Sequence, residues 1–201
     1  SIIEYALLIP MEVIIFDPKN EYDHYRNKGV RVYKEEIEIE EQMKLLVDEM
    51  NELNNEKKTK PLLVIFDEFA DAIANARSGK ALKIYEDVVI GNFKDGREKT
   101  KREEVGELKP LSENWRSLSQ KSRSAGFRLL AATQRASVDV INGATKINFP
   151  VQVCFYVKKK VDSIVMLDEA GAETLAGRGD GLFKSPEYLS TVRFQAFYKP
   201  D

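Results

Sequence analysis

Three short and mainly apolar runs, each followed at once by polar residues, constrain the fold of this sequence most strongly. The runs cover residues 12–16, 62–66 and 127–132, and their only charged members are Glu12 and Arg128. Their polar endings are Asp17-Pro18-Lys19, Asp67-Glu68 and Thr133-Gln134-Arg135. Strands of a parallel sheet are buried on both faces and therefore read as continuous apolar runs. Ligands of such sheets bind beyond the carboxyl ends of the strands, so the endings predict a shared site.

Segments of helical periodicity separate these runs. Apolar residues recur at four- and three-residue steps from Ile39 to Leu53, which predicts an amphipathic helix over 37–54. Further helices are expected at 2–9, before Pro10, at 69–76, from Leu111 through Leu118 towards Gly126, and at 162–168. Further strands are expected at 30–33, 151–157, 182–183 and 191–198. The alternation predicts an α/β fold, a mainly parallel sheet with helices on both faces.

The composition is that of an ordinary globular domain, and we expect a single domain over residues 1–201. The net charge of −2 gives no sign of nucleic-acid binding, so any DNA contact must come from local basic clusters. Cys154 is the only cysteine, which excludes an intrachain disulfide and fits a reducing, cytoplasmic location. No apolar run is long enough to cross a bilayer, and residues 1–11 lack the features of a signal peptide.

Residues 78–109 differ in character from the rest, and we interpret them as an insertion. The segment is rich in Lys, Arg and Glu, and Asp95-Gly96 favours a tight hairpin turn around residues 94–97. Its cations, which could contact DNA or a partner protein, are Lys94, Arg97, Lys99, Lys101 and Arg102. Because acids are interleaved with these cations, the preferred interpretation is a solvated hairpin.

Asp67 and Glu68 directly follow the second apolar run, which is the Walker B arrangement of nucleotide-hydrolysing motors. A rigid strand places the first acid near Mg²⁺ and the second where it polarises the attacking water. Two solvated acids at a strand end explain this pattern equally well when it is taken alone.

Thr133 and Gln134 follow the next run along the chain. A polar side chain there can bond the terminal phosphate or the attacking water and so sense hydrolysis. The alternative is a plain strand-to-loop transition in which Ser137 caps a turn that starts at Val138.

Neither His24 nor Cys154 indicates a metal site. His24 is the only histidine, and no cysteine is near it in the sequence. Cys154 lies in an apolar strand and is predicted to be a small core residue.

Several strings together closely resemble the motor core of the FtsK/SpoIIIE family of DNA translocases, in the order in which that family has them. The strong part covers residues 66–71 and 119–183, and Asp17-Pro18-Lys19 gives weaker support. The matching strings are 67–71, 120–126, 132–143, 146–150, 161–163, 167–173 and 177–180. The long insertion favours a phage or mobile-element member of the family.

The resemblance implies a RecA-like ATPase that assembles as a ring hexamer around double-stranded DNA and hydrolyses ATP between subunits. By matching motifs, Asp67 and Glu68 become the Walker B pair, with Asp67 at Mg²⁺. Gln134 becomes the sensor, and Asp67, Thr133 and Gln134 the nucleotide-contacting residues. Any membrane anchor would belong to segments outside these residues.

The same resemblance places the loop 135–148 at the central channel, with Arg135 and Lys146 as DNA-phosphate contacts. A plain surface lysine is an equal alternative for Lys146. Arg123 and Arg178 are both candidates to reach a neighbouring subunit's nucleotide. Both would otherwise only hold loops through salt bridges, and the sequence does not decide between the two arginines.

The sequence departs from the family in three places. No G-x-x-x-x-G-K-[ST] string is present, and Ser78-Gly79-Lys80-Ala81 is rejected because it lacks the upstream glycine and follows Walker B. We expect the P-loop to lie upstream of Ser1 or to end there, and ATP binding by these residues alone to be weak or absent. Ala136 replaces a usual proline, and the connection 78–109 is longer than usual.

Two other functions remain open at this point. One is a DNA pump of the conjugative coupling-protein or HerA type, against which the strings 170–173 and 177–180 argue. The other is a subunit that binds DNA or serves as a scaffold without hydrolysing ATP.

Overall fold

The computed structural model describes residues 2–76, 81–92, 97–136, 138, 141 and 143–197. The chain divides into two compact units, Ser1–Ile65 with Asn75–Leu129, and Phe66–Ala74 with Leu130–Asp201. Among the described helices, none is long and apolar enough to span a membrane.

A four-stranded parallel sheet is formed by the three apolar runs and one short additional strand. The strands are β1 (Glu12–Phe16), β2 (Arg31–Tyr33), β3 (Leu62–Phe66) and β6 (Phe127–Ala131), in the order β2-β1-β3-β6. All five residues of β3 are buried, and burying each such side chain contributes about 1.5–3 kcal/mol. The continuous apolar runs therefore predicted the strands correctly.

Three helices belong to the first unit: α1 (Ile2–Ala6), α2 (Glu36–Glu56) and α4 (Leu111–Lys121). The predicted apolar stripe of α2 is confirmed, because its members Ile39, Met43, Leu46 and Met50 are buried. Helix α4 packs on α2 and buries Trp115 and Leu118. The predicted helix at 2–9 is too long, since α1 ends at Ala6 and Leu8 is 82% exposed.

The turn between α4 and β6 requires a glycine at position 126. Gly126 has φ +86°, and a Cβ there would lie 2.8 Å from the backbone oxygen of Lys60. The Lys60 amide in turn donates to the carbonyl oxygen of Ala125 at 2.9 Å. This close backbone approach explains why the segment after α4 ends in glycine.

The insertion folds into two long antiparallel strands, β4 (Leu82–Asn92) and β5 (Glu98–Leu108). The predicted hairpin is confirmed in its strands, whereas residues 94–96 of the turn predicted around 94–97 lie outside the described residues. The register shifts between Ile84 and Tyr85 and between Val89 and Gly91.

The second unit contains most of α3 (Phe69–Asn75), together with α5 (Gly143–Asn148) and α6 (Lys160–Leu167). Its strands β7 (Gln152–Phe155), β8 (Asp180–Lys184) and β9 (Val192–Gln195) form a separate antiparallel sheet. Cys154 is buried with Leu167, Ala172 and Leu175, which confirms its assignment to the core. The periodicity did not reveal that the last strands form a sheet of their own.

Candidate functional site

The turn after β3 is held against the end of β6 by backbone hydrogen bonds. The amide of Ala132 donates to the carbonyl oxygen of Phe66 at 2.9 Å, and the amide of Phe69 donates to that of Ala132 at 3.1 Å. Asp67 and Glu68 lie between these two bonds in the chain. Their backbone is therefore fixed by the strand that leads to Thr133 and Gln134.

Glu68 combines burial with an uncommon backbone conformation. Its residue surface is only 3% exposed and its φ is +48°, in the left-handed region. Its Oε2 accepts a hydrogen bond from the backbone amide of Gln134 at 3.1 Å. Non-glycine residues in this region cost of the order of 1–3 kcal/mol and cluster at functional sites. The structure thus joins the second acid to the predicted sensor position.

Asp67 is less enclosed than its neighbour, since it is only partly buried. A partly exposed carboxylate at a strand end suits Mg²⁺, which is bound by one or two carboxylates and otherwise by water and phosphate oxygens. No cluster of three or more acidic, histidine or cysteine side chains suited to a metal occurs in the described part of the chain. The assignment of Asp67 to Mg²⁺ therefore stays a prediction.

The residues after β6 form a small hydrogen-bonded turn. The hydroxyl oxygen of Thr133 accepts the backbone amide of Arg135 at 3.0 Å, while Gln134 is exposed. A guanidinium nitrogen of Arg135 lies 3.5 Å from a carboxylate oxygen of Asp71, and both side chains are well exposed. Such an exposed pair contributes little, so it leaves Arg135 available to other anions.

Lys146 has a different environment from Arg135. It lies on α5, its side chain is 16% exposed, and its ammonium group is 2.5 Å from the Asp168 carboxylate. Lys184 contacts the same carboxylate at 3.2 Å. Lys146, and to a lesser extent Lys184, lowers the pKa of Asp168 below its usual value. Lys146 is therefore already engaged within the second unit.

Arg178 is presented by a rigid loop at the start of β8. Gly177, Arg178 and Gly179 have φ values of +76°, +52° and +87°. Asp180 anchors this loop: its carboxylate accepts two hydrogen bonds from Arg193, at 2.8 and 2.6 Å, and one from the amide of Ala176 at 2.7 Å. Arg193 foremost, and then the Ala176 amide, lowers the pKa of Asp180 to about 2.

The side chain of Arg178 is exposed, and no carboxylate in the described ranges pairs with it. The salt bridge that holds its loop is made by Arg193 instead. Arg123 belongs to the first unit and is also exposed, in the turn after α4, where its carbonyl oxygen accepts the amide of Gly126 at 3.2 Å. Arg178 alone of these two arginines has a positive φ.

Two other strings that resemble the family, 161–163 and 167–173, have structural roles. The hydroxyl of Ser163 is buried, donates to the carbonyl oxygen of Glu169 at 2.8 Å and accepts the amide of Ala172 at 3.1 Å. The carboxylate of Glu173 accepts the amide of Gly171 at 2.8 Å, which lowers the pKa of Glu173. These bonds fix the loop that follows α6.

Asp17, at the end of β1, uses both carboxylate oxygens within its own loop. They accept the backbone amides of Glu21 at 3.0 Å and Tyr22 at 2.8 Å, and the residue is fully buried. This arrangement stabilises the chain after β1, so the first of the three polar endings is explained by local structure.

Within the second unit, the structure brings Glu68 to the amide of Gln134 and Arg135 to Asp71. Sequence reasoning missed that Lys146 and Lys184 both contact Asp168. It also missed the salt bridge between Arg193 and Asp180. These partners are far apart in sequence, so no spacing rule would have found them. The left-handed backbone of Glu68 also left no sequence signal, because it is not a glycine.

Comparison with known proteins assigns this chain to a family. No family model matches the chain. The DNA translocase FtsK of Campylobacter jejuni is 38% identical over 149 residues, which are 74% of this chain and 12% of that protein. The DNA translocase FtsK of Leptospira interrogans serovar copenhageni is 49% identical over 81 residues, 40% of this chain and 8% of that protein. This chain belongs to the FtsK/SpoIIIE family of ATPase domains.

The fold comparison agrees with this membership. The structure of the pCW3 conjugation coupling protein TcpA, in its monomer form with ATPγS, matches with a TM-score of 0.71 and 23% identity. The match covers 96% of this chain and 53% of that one. It confirms the predicted fold class, an α/β RecA-like architecture with a parallel sheet and flanking helices. This chain spans only about a tenth of the length of the two translocases it resembles.

Proposed function

We propose that this chain carries the hydrolysis residues of an ATP-driven double-stranded-DNA translocase. The observation that carries the proposal is the buried Glu68 carboxylate, held in a left-handed backbone and bonded to the amide of Gln134. A buried carboxylate is costly unless it is paired or hydrogen-bonded, so the bond from the Gln134 amide helps to hold Glu68 at this position. The residue lies at the end of a strand, beyond which ligands bind in α/β sheets. The family's DNA translocases give the substrate class.

Each residue near Glu68 has a role in this proposal. Glu68 polarises the attacking water, and the bond to the Gln134 amide keeps its carboxylate oriented. Asp67 supplies an oxygen to Mg²⁺, which when bound neutralises charge on the phosphates of ATP. Thr133 fixes the turn that presents the exposed Gln134 side chain towards the terminal phosphate.

Between the two candidate arginines, Arg178 is the better one to stabilise charge on a neighbouring subunit's nucleotide. Its loop is anchored by the Asp180–Arg193 pair, and its own backbone is in the left-handed region. Anchoring the loop reduces the backbone freedom that would be lost when Arg178 binds phosphate, and the planar guanidinium suits phosphate geometry. This role requires assembly into a ring, for which a homo-hexamer is the proposed form.

Arg135 is the stronger candidate for contact with the DNA backbone. Its side chain is 67% exposed and its pair with Asp71 is weak, whereas Lys146 is largely buried against Asp168. Contacts of this kind hold phosphates without reading sequence, which is what a translocase requires.

The test is ATP hydrolysis by the full-length protein, with and without duplex DNA. We expect Glu68→Gln to reduce DNA-stimulated turnover by about 10²–10⁴-fold, the usual contribution of general acid–base catalysis. The matched control is Glu52→Gln, an exposed glutamate of α2, which should leave turnover unchanged. If the full-length protein binds DNA but hydrolyses no ATP, the proposal is wrong, and a DNA-binding or scaffold function takes its place.

A further inference from the structure

The β4–β5 hairpin is the largest feature that the proposed function does not use. Each strand has eleven residues, and from Glu98 to Val105 every side chain of β5 is exposed. Its base is anchored, because Leu108 is buried and β5 contacts α2. A two-stranded ribbon is only marginally stable by itself, so a partner on its surface would stabilise it.

Charge is divided along the length of this hairpin. We define the distal half as residues 88–92 and 97–101, and the proximal half as residues 82–87 and 102–108, so that Asp87 and its partner Arg102 lie in the same half. The distal half has three cations and one anion, namely Arg97, Lys99, Lys101 and Glu98. The proximal half has two cations and five anions, namely Lys83, Arg102, Glu86, Asp87, Glu103, Glu104 and Glu107. Cations therefore predominate in the distal half and acids in the proximal half.

Two lysines of the distal half share one face of the ribbon. Lys99 and Lys101 are two residues apart on β5, so both side chains project to the same face of the ribbon. Their cross-strand partners, Gly91 and Val88, are uncharged. The acid nearest to Lys101 is Glu103 on the same strand, at 3.1 Å, and both side chains are about half exposed or more. Such a pair is worth only about 0–1 kcal/mol, so a phosphate can replace it.

Both cations of the proximal half, Lys83 and Arg102, have an acidic residue on the opposite strand. Lys83 lies 2.6 Å from Glu104, and this glutamate raises the pKa of Lys83. Arg102 sits opposite Asp87 and lies 5.2 Å from the ring centre of Tyr85. Lys99 and Lys101, in contrast, have no acidic residue opposite them on β4. The surface available to a phosphate is therefore the face of the distal half that carries these two lysines.

We propose that the distal half of the hairpin binds the phosphate backbone of duplex DNA, as a contact separate from the loop 135–148. Lysines on an exposed ribbon are suited to phosphates, and a two-stranded ribbon is of a size that a DNA groove admits. The choice of DNA among polyanions rests on the proposed function. The acidic proximal half repels the duplex and so limits the contact to the distal end.

The experiment measures binding of the 201-residue chain to a fluorescein-labelled duplex by anisotropy, between about 50 and 200 mM salt. The test variant is Lys99→Gln with Lys101→Gln. The control is Lys83→Gln with Lys109→Gln, which removes the same charge at the proximal end. Circular dichroism verifies that both variants stay folded. Because binding needs neither ATP nor a ring, failure of the hydrolysis test leaves this one interpretable.

The expected result is weaker binding by the distal variant, with a slope of log affinity against log salt shallower by about 1.8, since each lost phosphate contact removes about 0.9. The control should keep the slope of the unmodified chain. Equal slopes for the two variants, or no duplex binding by the unmodified chain, would overturn the proposal. So would equally effective competition by polyglutamate, since the hairpin would then bind acidic polymers in general.

Discussion

At the residue scale, two buried acids of the second unit occupy different kinds of position. Asp180 accepts two bonds from a guanidinium and one from a backbone amide, which is the pattern of a structural anchor. Glu68 accepts the amide of Gln134 across the turn and has a left-handed backbone. The chemical role proposed for Glu68 rests on this position at the strand end beside Gln134.

The Asp180 anchor predicts a defined pH dependence of stability. Arg193 lowers the pKa of Asp180 from its ordinary 3.8 to about 2, so the folded state favours the charged form. The stabilisation is complete above pH 3.8 and is lost as the pH falls from 3.8 towards 2. We expect Asp180→Asn to lower the Tm at neutral pH, with the difference from the unmodified chain narrowing across that acidic window.

Thermal unfolding followed by circular dichroism at a series of pH values measures this effect. Asp48→Asn serves as the control, because its pair with Lys44 is an exposed contact within α2 and contributes little. A Tm difference for Asp180→Asn that stayed constant down to pH 2 would contradict the ionic origin of the anchor.

At the element scale, the junction of α4 and β6 depends on one glycine. Gly126 and Gly29 are both in the left-handed region, at φ +86° and +82°, but only Gly126 faces nearby backbone. Gly29→Ala should therefore cost about 1 kcal/mol from conformation alone. Gly126→Ala should cost about 2–5 kcal/mol, because overpacking against the Lys60 backbone adds to the conformational cost.

Urea unfolding of both variants gives the comparison. If both variants lose the same free energy of unfolding, the backbone at Lys60 moves aside at little cost. The close approach would then not fix the junction of α4 and β6.

At the scale of the whole molecule, the 201 residues contain the proposed hydrolysis residues but no phosphate-binding string of the G-x-x-x-x-G-K-[ST] type. Backbone amides and a lysine in such a loop provide most of the grip on phosphates. We therefore expect isothermal calorimetry to detect no ATP binding by the 201-residue chain, with or without Mg²⁺. Micromolar binding that survived Asp67→Ala would show that other residues of this chain hold the nucleotide.

The buried parallel strands were predictable because continuous apolar runs have few other solutions in an α/β fold. The long helix α2 was predictable for a similar reason, since Ile39, Met43, Leu46 and Met50 recur with helical spacing. The family membership followed from the order of the polar strings rather than from any single motif. The roles of Asp67, Glu68, Gln134 and the two arginines remain predictions.

The sequence by itself determined the α/β class, the amphipathic helices and the positions of Asp67, Glu68, Thr133 and Gln134 at strand ends, because burial periodicity is a local property. Only the tertiary structure decided which charges pair. Lys146 with Asp168, and Arg193 with Asp180, meet through folding of residues distant in the chain. The same is true of the hairpin, where strand pairing places Asp87 opposite Arg102 and uncharged residues opposite Lys99 and Lys101. Electrostatic partnership depends on distance in space, and a sequence pattern does not encode it.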